Sequence, residues 1–80
     1  MTRGRKQYFI ECCETRTCEG VPYSRTTQIG NTSTIKSAKS TISWYRREYR
    51  KYNPKDFRVY DYWAEVDPTT GHVPCVYEEE

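Results

Sequence analysis

Gln7 to Glu14 is rich in aromatic and β-branched residues and predicts a strand, and Val21 to Ile29, carrying Tyr23, Thr26 and Thr27, predicts a second. Cys18-Glu19-Gly20 supplies the turn between them. The spacing of apolar residues then changes. After the N-cap candidates Asn31-Thr32-Ser33-Thr34, the residues Ile35, Ala38, Ile42, Tyr45, Tyr49 and Tyr52 recur at alternating steps of three and four, which is one face of an amphipathic helix. Pro54 disfavours helical geometry at Asn53, so this helix is expected to stop near Tyr52, a length of roughly 28 Å.

Phe57 to Val66 predicts a long strand, Asp67-Pro68-Thr69-Thr70-Gly71 a hairpin loop, and Val73 to Tyr77 the returning strand, which Pro74 assigns to a sheet edge. The expected fold is α+β: a two-layer ββαββ arrangement with one amphipathic helix on a four-stranded, mainly antiparallel sheet. One helix covers one face. In the third strand both faces hold large side chains, Phe57, Val59 and Trp63 on one and Tyr60, Tyr62, Ala64 and Val66 on the other. The second set lacks acids and is expected to face the helix, which leaves Trp63, with Asp61 and Glu65, on an open sheet face.

Composition supports an ordered domain. Only 35% of the 80 residues are hydrophobic, but 15% are aromatic, including eight Tyr and two Trp, and rings supply the apolar area that a thin core needs. Residues 1–80 read as a single domain with an ordered core at about 6–77 and loose ends at Met1 to Arg5 and Glu78 to Glu80. The chain lacks a run of 18 apolar residues and a signal-like apolar stretch near its N-terminus, so the expectation is a cytoplasmic protein that does not enter a membrane.

The net charge of +2 conceals segregation. Residues 1–30 hold five basic and three acidic groups, residues 31–58 eight and two, and residues 59–80 none and six, giving +2, +6 and −6. One basic and one acidic face are therefore expected. Lys36, Lys39, Arg46, Arg47, Arg50 and Lys51 form a basic stripe on the predicted helix, which reads either as a solvated exterior or as a contact surface for phosphates or an acidic protein. Trp44 lies beside Arg47 and Lys51 off the apolar face; it reads as a core boundary or as a binding hot spot.

Cys12, Cys13, Cys18 and Cys75 are an even set, and without a secretion signal free thiols, acting as buried small hydrophobes, are expected. Cys12 or Cys13, Cys18, His72 and Cys75 also provide four potential zinc ligands. The first hairpin lacks a clean Cys-x-x-Cys, however, and adjacent Cys12 and Cys13 point to opposite faces of a strand, so no cofactor is expected. For catalysis, His72 is the single His, and no nucleophile-base pairing, Gly-rich phosphate loop or acid pair in a plausible pocket can be named, so an enzyme is not expected.

The segment Tyr45-Arg46-Arg47-Glu48-Tyr49-Arg50-Lys51-Tyr52-Asn53-Pro54-Lys55-Asp56-Phe57-Arg58-Val59-Tyr60-Asp61, with His72-Val73-Pro74-Cys75-Val76-Tyr77, resembles small uncharacterised bacteriophage proteins. In size and layout the chain is also similar to small phage inhibitors of host defence, anti-CRISPR proteins among them. That resemblance implies an accessory protein of the host-cell cytoplasm that binds a host protein or nucleoprotein complex and inhibits it. The residues expected to make the contact, read from their chemistry, are Lys36, Lys39, Trp44, Arg46, Arg47, Arg50, Lys51 and Trp63. Direct binding of DNA or RNA through the helix, a zinc-stabilised interaction module, and self-association through the open sheet face are the alternatives.

Overall fold

The computed structural model describes residues 6–80, which run β1 (Tyr8–Cys18), β2 (Val21–Thr32), α1 (Ile35–Glu48), a 3-10 turn (Arg50–Tyr52), β3 (Lys55–Asp61) and β4 (Cys75–Glu79). All three strand pairings are antiparallel and the sheet order is β2-β1-β3-β4. The helix packs across one face, so the fold is the expected two-layer α+β arrangement.

The first hairpin is longer than its composition suggests, reaching Cys18 on one strand and Thr32 on the other. Glu19 and Gly20 close it with φ of 52° and 81°. Two positive φ values make the mirror-image turn whose twist matches the flanking strands. Near the other end the register shifts, leaving Ile29 as an extra residue on β2. At the adjacent Gly30 a Cβ would sit 3.3 Å from Thr41 Cγ2, so glycine lets the helix approach the sheet closely.

Thr34 starts the helix with extended backbone, and its hydroxyl accepts a 3.0 Å hydrogen bond from Ser37 N–H. Such a cap is worth about 1 kcal/mol. The α-helix stops at Glu48, four residues before the expected end, and tightens into the 3-10 turn; Asn53 then takes a left-handed φ of 49°, which Asn tolerates, ahead of Pro54. The tyrosine stripe survives the tightening. Tyr45 stacks on Tyr49 with ring centroids 4.4 Å apart, and Tyr49 lies 6.3 Å from Tyr52.

The core consists of Ile10 and Cys12 from β1, Ala38, Ile42 and Tyr45 from α1, and Phe57 and Val59 from β3. This reverses the expected orientation of β3: Phe57 and Val59 face the helix, and Tyr60 lies on the open face against Phe9. The reason is register. Val59 pairs with Ile10, so strand parity commits residues 57 and 59 to the covered side. The strand also ends early, because the Asp61 carboxylate accepts the Trp63 N–H at 2.9 Å and bends the chain out of the sheet. Tyr62, Trp63, Ala64 and Val66 therefore belong to a loop instead of either sheet face.

Asp67 N–H donates to the His72 carbonyl at 2.9 Å, closing the turn expected at residues 67–71, but β4 begins only at Cys75. It is an edge strand and Pro74 immediately precedes it, as that proline requires. The acidic end is ordered, contrary to expectation: Glu78 and Glu79 pair with Arg58 and Phe57 of β3, and the Glu80 carbonyl accepts a hydrogen bond from Arg46. Residues 1–5, the other expected loose end, lie outside the described residues.

Candidate partner-binding surface

The basic stripe of the helix divides into two flanks. Positions 39 and 46 are one heptad apart and share the flank that faces β4. There Arg46 Nη1 pairs with Glu79 Oε2 at 2.8 Å and its guanidinium lies 4.8 Å from the Phe57 ring centroid, while Lys39 Nζ lies 4.8 Å from the Tyr77 ring. These two cations, expected to meet a partner, also contact the last strand of their own sheet, Lys39 staying exposed and the Arg46 side chain 42% exposed.

Lys36, Trp44, Arg47, Arg50 and Lys51 remain exposed on the outer side. Arg47 lies 3.5 Å from Glu48, a surface pair of small energetic weight, and Lys51 lies 5.1 Å from the Tyr52 ring. Trp44 is 45% exposed. Its ring meets Tyr49 edge-on at 5.8 Å, and Tyr49 in turn packs on the core, so one side of the indole is braced and the other meets solvent.

The acidic third does not make a face of its own. Folding places β4 between the cations of α1 and those of β3, and Glu79 and Glu78 meet Arg46 and Arg58 respectively. A shallow cavity of about 450 Å³ lies at this end of the sheet, lined by Asp56, Phe57, Arg58, Glu78, Glu79 and Glu80. Trp63 is not on the open sheet face. It stands in the loop after β3, 4.9 Å from Tyr62, and Val66 further along the same loop is also exposed. The open face itself carries the stacked pair Phe9 and Tyr60, 5.2 Å apart, among polar side chains.

Sequence reasoning missed one feature. Glu14 is 2% exposed on the covered face, and its oxygens accept hydrogen bonds from Tyr45 Oη at 2.8 Å and Arg16 Nε at 3.0 Å, with Arg25 Nε at 3.8 Å. The Arg16 guanidinium lies 3.7 Å from the Tyr52 ring centroid, so the cluster ties β1 to both the helix and the turn beyond it. Burial, reinforced by the bond to Glu14, pushes the Tyr45 phenol up to about 12, and burial beside Glu14 does the same to the Cys12 thiol. The signal was parity: Ile10, Cys12 and Glu14 alternate on one face, so a carboxylate continues the apolar row.

The cysteines are free and dispersed. Cys12 is buried in the core, Cys13 lies half-buried on the other face, Cys18 is exposed at the hairpin tip and Cys75 starts β4, so the shared role of buried hydrophobe fits Cys12 alone. His72 is exposed in the loop. Among the described residues no three His, Cys, Asp or Glu side chains are gathered to hold a metal ion, and no helix is long and apolar enough to cross a membrane. The chain matches no known protein family, no curated protein and no solved structure. The fold and surface together define a small ββαββ domain with an exposed tryptophan on a cationic helix.

Proposed function

We propose that the chain is a non-enzymatic binding module that recognises an acidic surface of a protein partner through the outer side of α1. The observation that carries this reading is the placement of Trp44, braced by Tyr49 and 45% exposed, on the same outer side as Arg47 and Lys51. A rigid aromatic with cations around it supplies both the apolar anchor and the charge that binding hot spots combine. Inhibition of a host protein, the role implied by the resemblance to phage proteins, is one use such a surface fits.

Affinity capture of a partner from lysate, with and without nuclease, tests this. A protein retained after nuclease, and lost on Trp44→Ala or on Arg47→Glu with Arg50→Glu, is the expected result. Loss of a hot spot corresponds to about 30-fold weaker binding. The thermal midpoint should stay unchanged in each variant, and Trp63→Ala, on a separate patch, should retain the partner. Retention that disappears with nuclease would assign the surface to nucleic acid, and undiminished capture by all the α1 variants would end the proposal.

A further inference from the structure

Among the described residues, the two outer strands of the sheet differ in how their free edges are protected. β4 spans only five residues, follows Pro74 and ends in Glu78 and Glu79, all devices that discourage another strand from adding to an edge. β2 spans twelve residues, is exposed along most of its length and has a single charged side chain, Arg25. That charge is already turned inward toward Glu14, 3.8 Å away across the hairpin. Pro22 and the extra residue Ile29 interrupt the strand at either end, leaving Tyr23 to Gln28 as a regular, unblunted edge.

We propose that this edge pairs antiparallel with the same segment of a second copy, joining two sheets into one. Parity restricts the register to pairings centred on a residue. Arg25 points to the covered face, where it reaches Glu14, and Thr26 to the open face, where its hydroxyl lies 3.9 Å from Cys13 Sγ. Residues directly opposite in an antiparallel pair share a face, so a twofold axis perpendicular to the sheet passes through a residue and its own copy. Centred on Thr26, the pairing sets Thr26 against Thr26, Arg25 against Thr27, and Ser24 against Gln28. Hydroxyl and amide side chains then face one another across the axis, and no two like charges are directly opposed. Of the two residues at the middle of the segment, which pair the greatest length, Arg25 would oppose two guanidinium groups, and this leaves the threonine register. The occupant is a second copy because the segment is complementary to itself in this register, and the surface is independent of the outer side of α1.

Analytical ultracentrifugation of the full chain over a range of concentrations tests the proposal with two variants, Thr26→Lys and Thr26→Glu. The wild-type chain is expected to reach twice the monomer mass as concentration rises. Each variant places two like charges opposite each other on the axis and should lose that doubling while keeping the thermal midpoint that the wild type shows when dilute and monomeric. An equimolar mixture of the two should regain it, because opposite charges then meet at the same point. Amide exchange that slows with concentration across residues 23–28 of the wild type is the expected second readout, and it does not depend on either variant folding. A wild-type chain that stays monomeric throughout, or variants that dimerise as well as the wild type, would overturn the proposal.

Discussion

Glu14 and Glu78 stand on opposite faces of one sheet, and each pairs with an arginine. Glu14 lies on a central strand beneath the helix, its side chain fully buried and 2.9 Å from Arg16. Glu78 lies on an edge strand in the open, its side chain 67% exposed and 3.8 Å from Arg58. The same two residue types therefore carry different weight. In water the second pair is screened, and holding two long side chains together costs entropy, so it contributes little. The first has exchanged its water for Tyr45, Arg16 and Arg25, and removing Glu14 leaves the buried Tyr45 hydroxyl without its acceptor. A well-packed apolar core would be at least as stable, but it would not specify which helix residue docks over β1. The Glu14 carboxylate does so by requiring the Tyr45 hydroxyl.

The contrast is broken most directly at Glu14. Glu14→Gln keeps the shape but removes the charge opposing Arg16, and because the arginines can still reach water it is expected to cost about 1–3 kcal/mol in urea unfolding, the range for lost hydrogen bonds to a buried charged group. A loss of only a few tenths would mean that the site is hydrated and the two faces are equivalent. A second effect should appear at alkaline pH. The Tyr45 phenol and the Cys12 thiol ionise at about 12 in the folded chain, above their ordinary values of 10.0 and 9.0. Below about pH 9 both stay protonated whether folded or not, and their contribution is fully present. Between about pH 9 and 12 the unfolded chain releases these protons while the native chain keeps them, so stability falls as pH rises. Denaturant midpoints across that range should decline, and Tyr45→Phe combined with Cys12→Ala should flatten the decline. A stability that rose with pH in the wild type would refute the buried assignment of both groups. The smallest effect is expected at Arg58→Ala, within about 0.5 kcal/mol of wild type. A loss as large as that at Glu14 would show that the open face is covered in solution.

Much of the architecture was legible along the chain, where local rules apply. The helix declared itself by the spacing of Ile35, Ala38, Ile42 and Tyr45, and the edge position of the last strand by Pro74. The candidate surface was half legible. Trp44 is exposed as its place off the apolar face implied, but Arg46 and Lys39 could not be told from Arg47 and Lys51 by periodicity. Their difference depends on which flank meets β4, and strand order is a property of the sheet. The orientation of β3 was misread for a similar reason. With rings on both of its faces, only pairing with Ile10 decided that Phe57 and Val59 go inward.

By itself, then, the sequence determined the order ββαββ, the start of the helix at its threonine-rich cap, the turns at Gly20 and Gly71, and the presence of more cations than one helix face buries. Those features depend on neighbours within a few residues, where backbone sterics, capping and periodicity act. Tertiary structure decided which carboxylate is buried, which arginines pair within the fold and, among the described residues, which strand edge is left unprotected. Each of these requires residues far apart in the chain to meet, as Glu14 meets Tyr45 and Arg46 meets Glu79, and the energy of a charge depends on the burial that such meetings create.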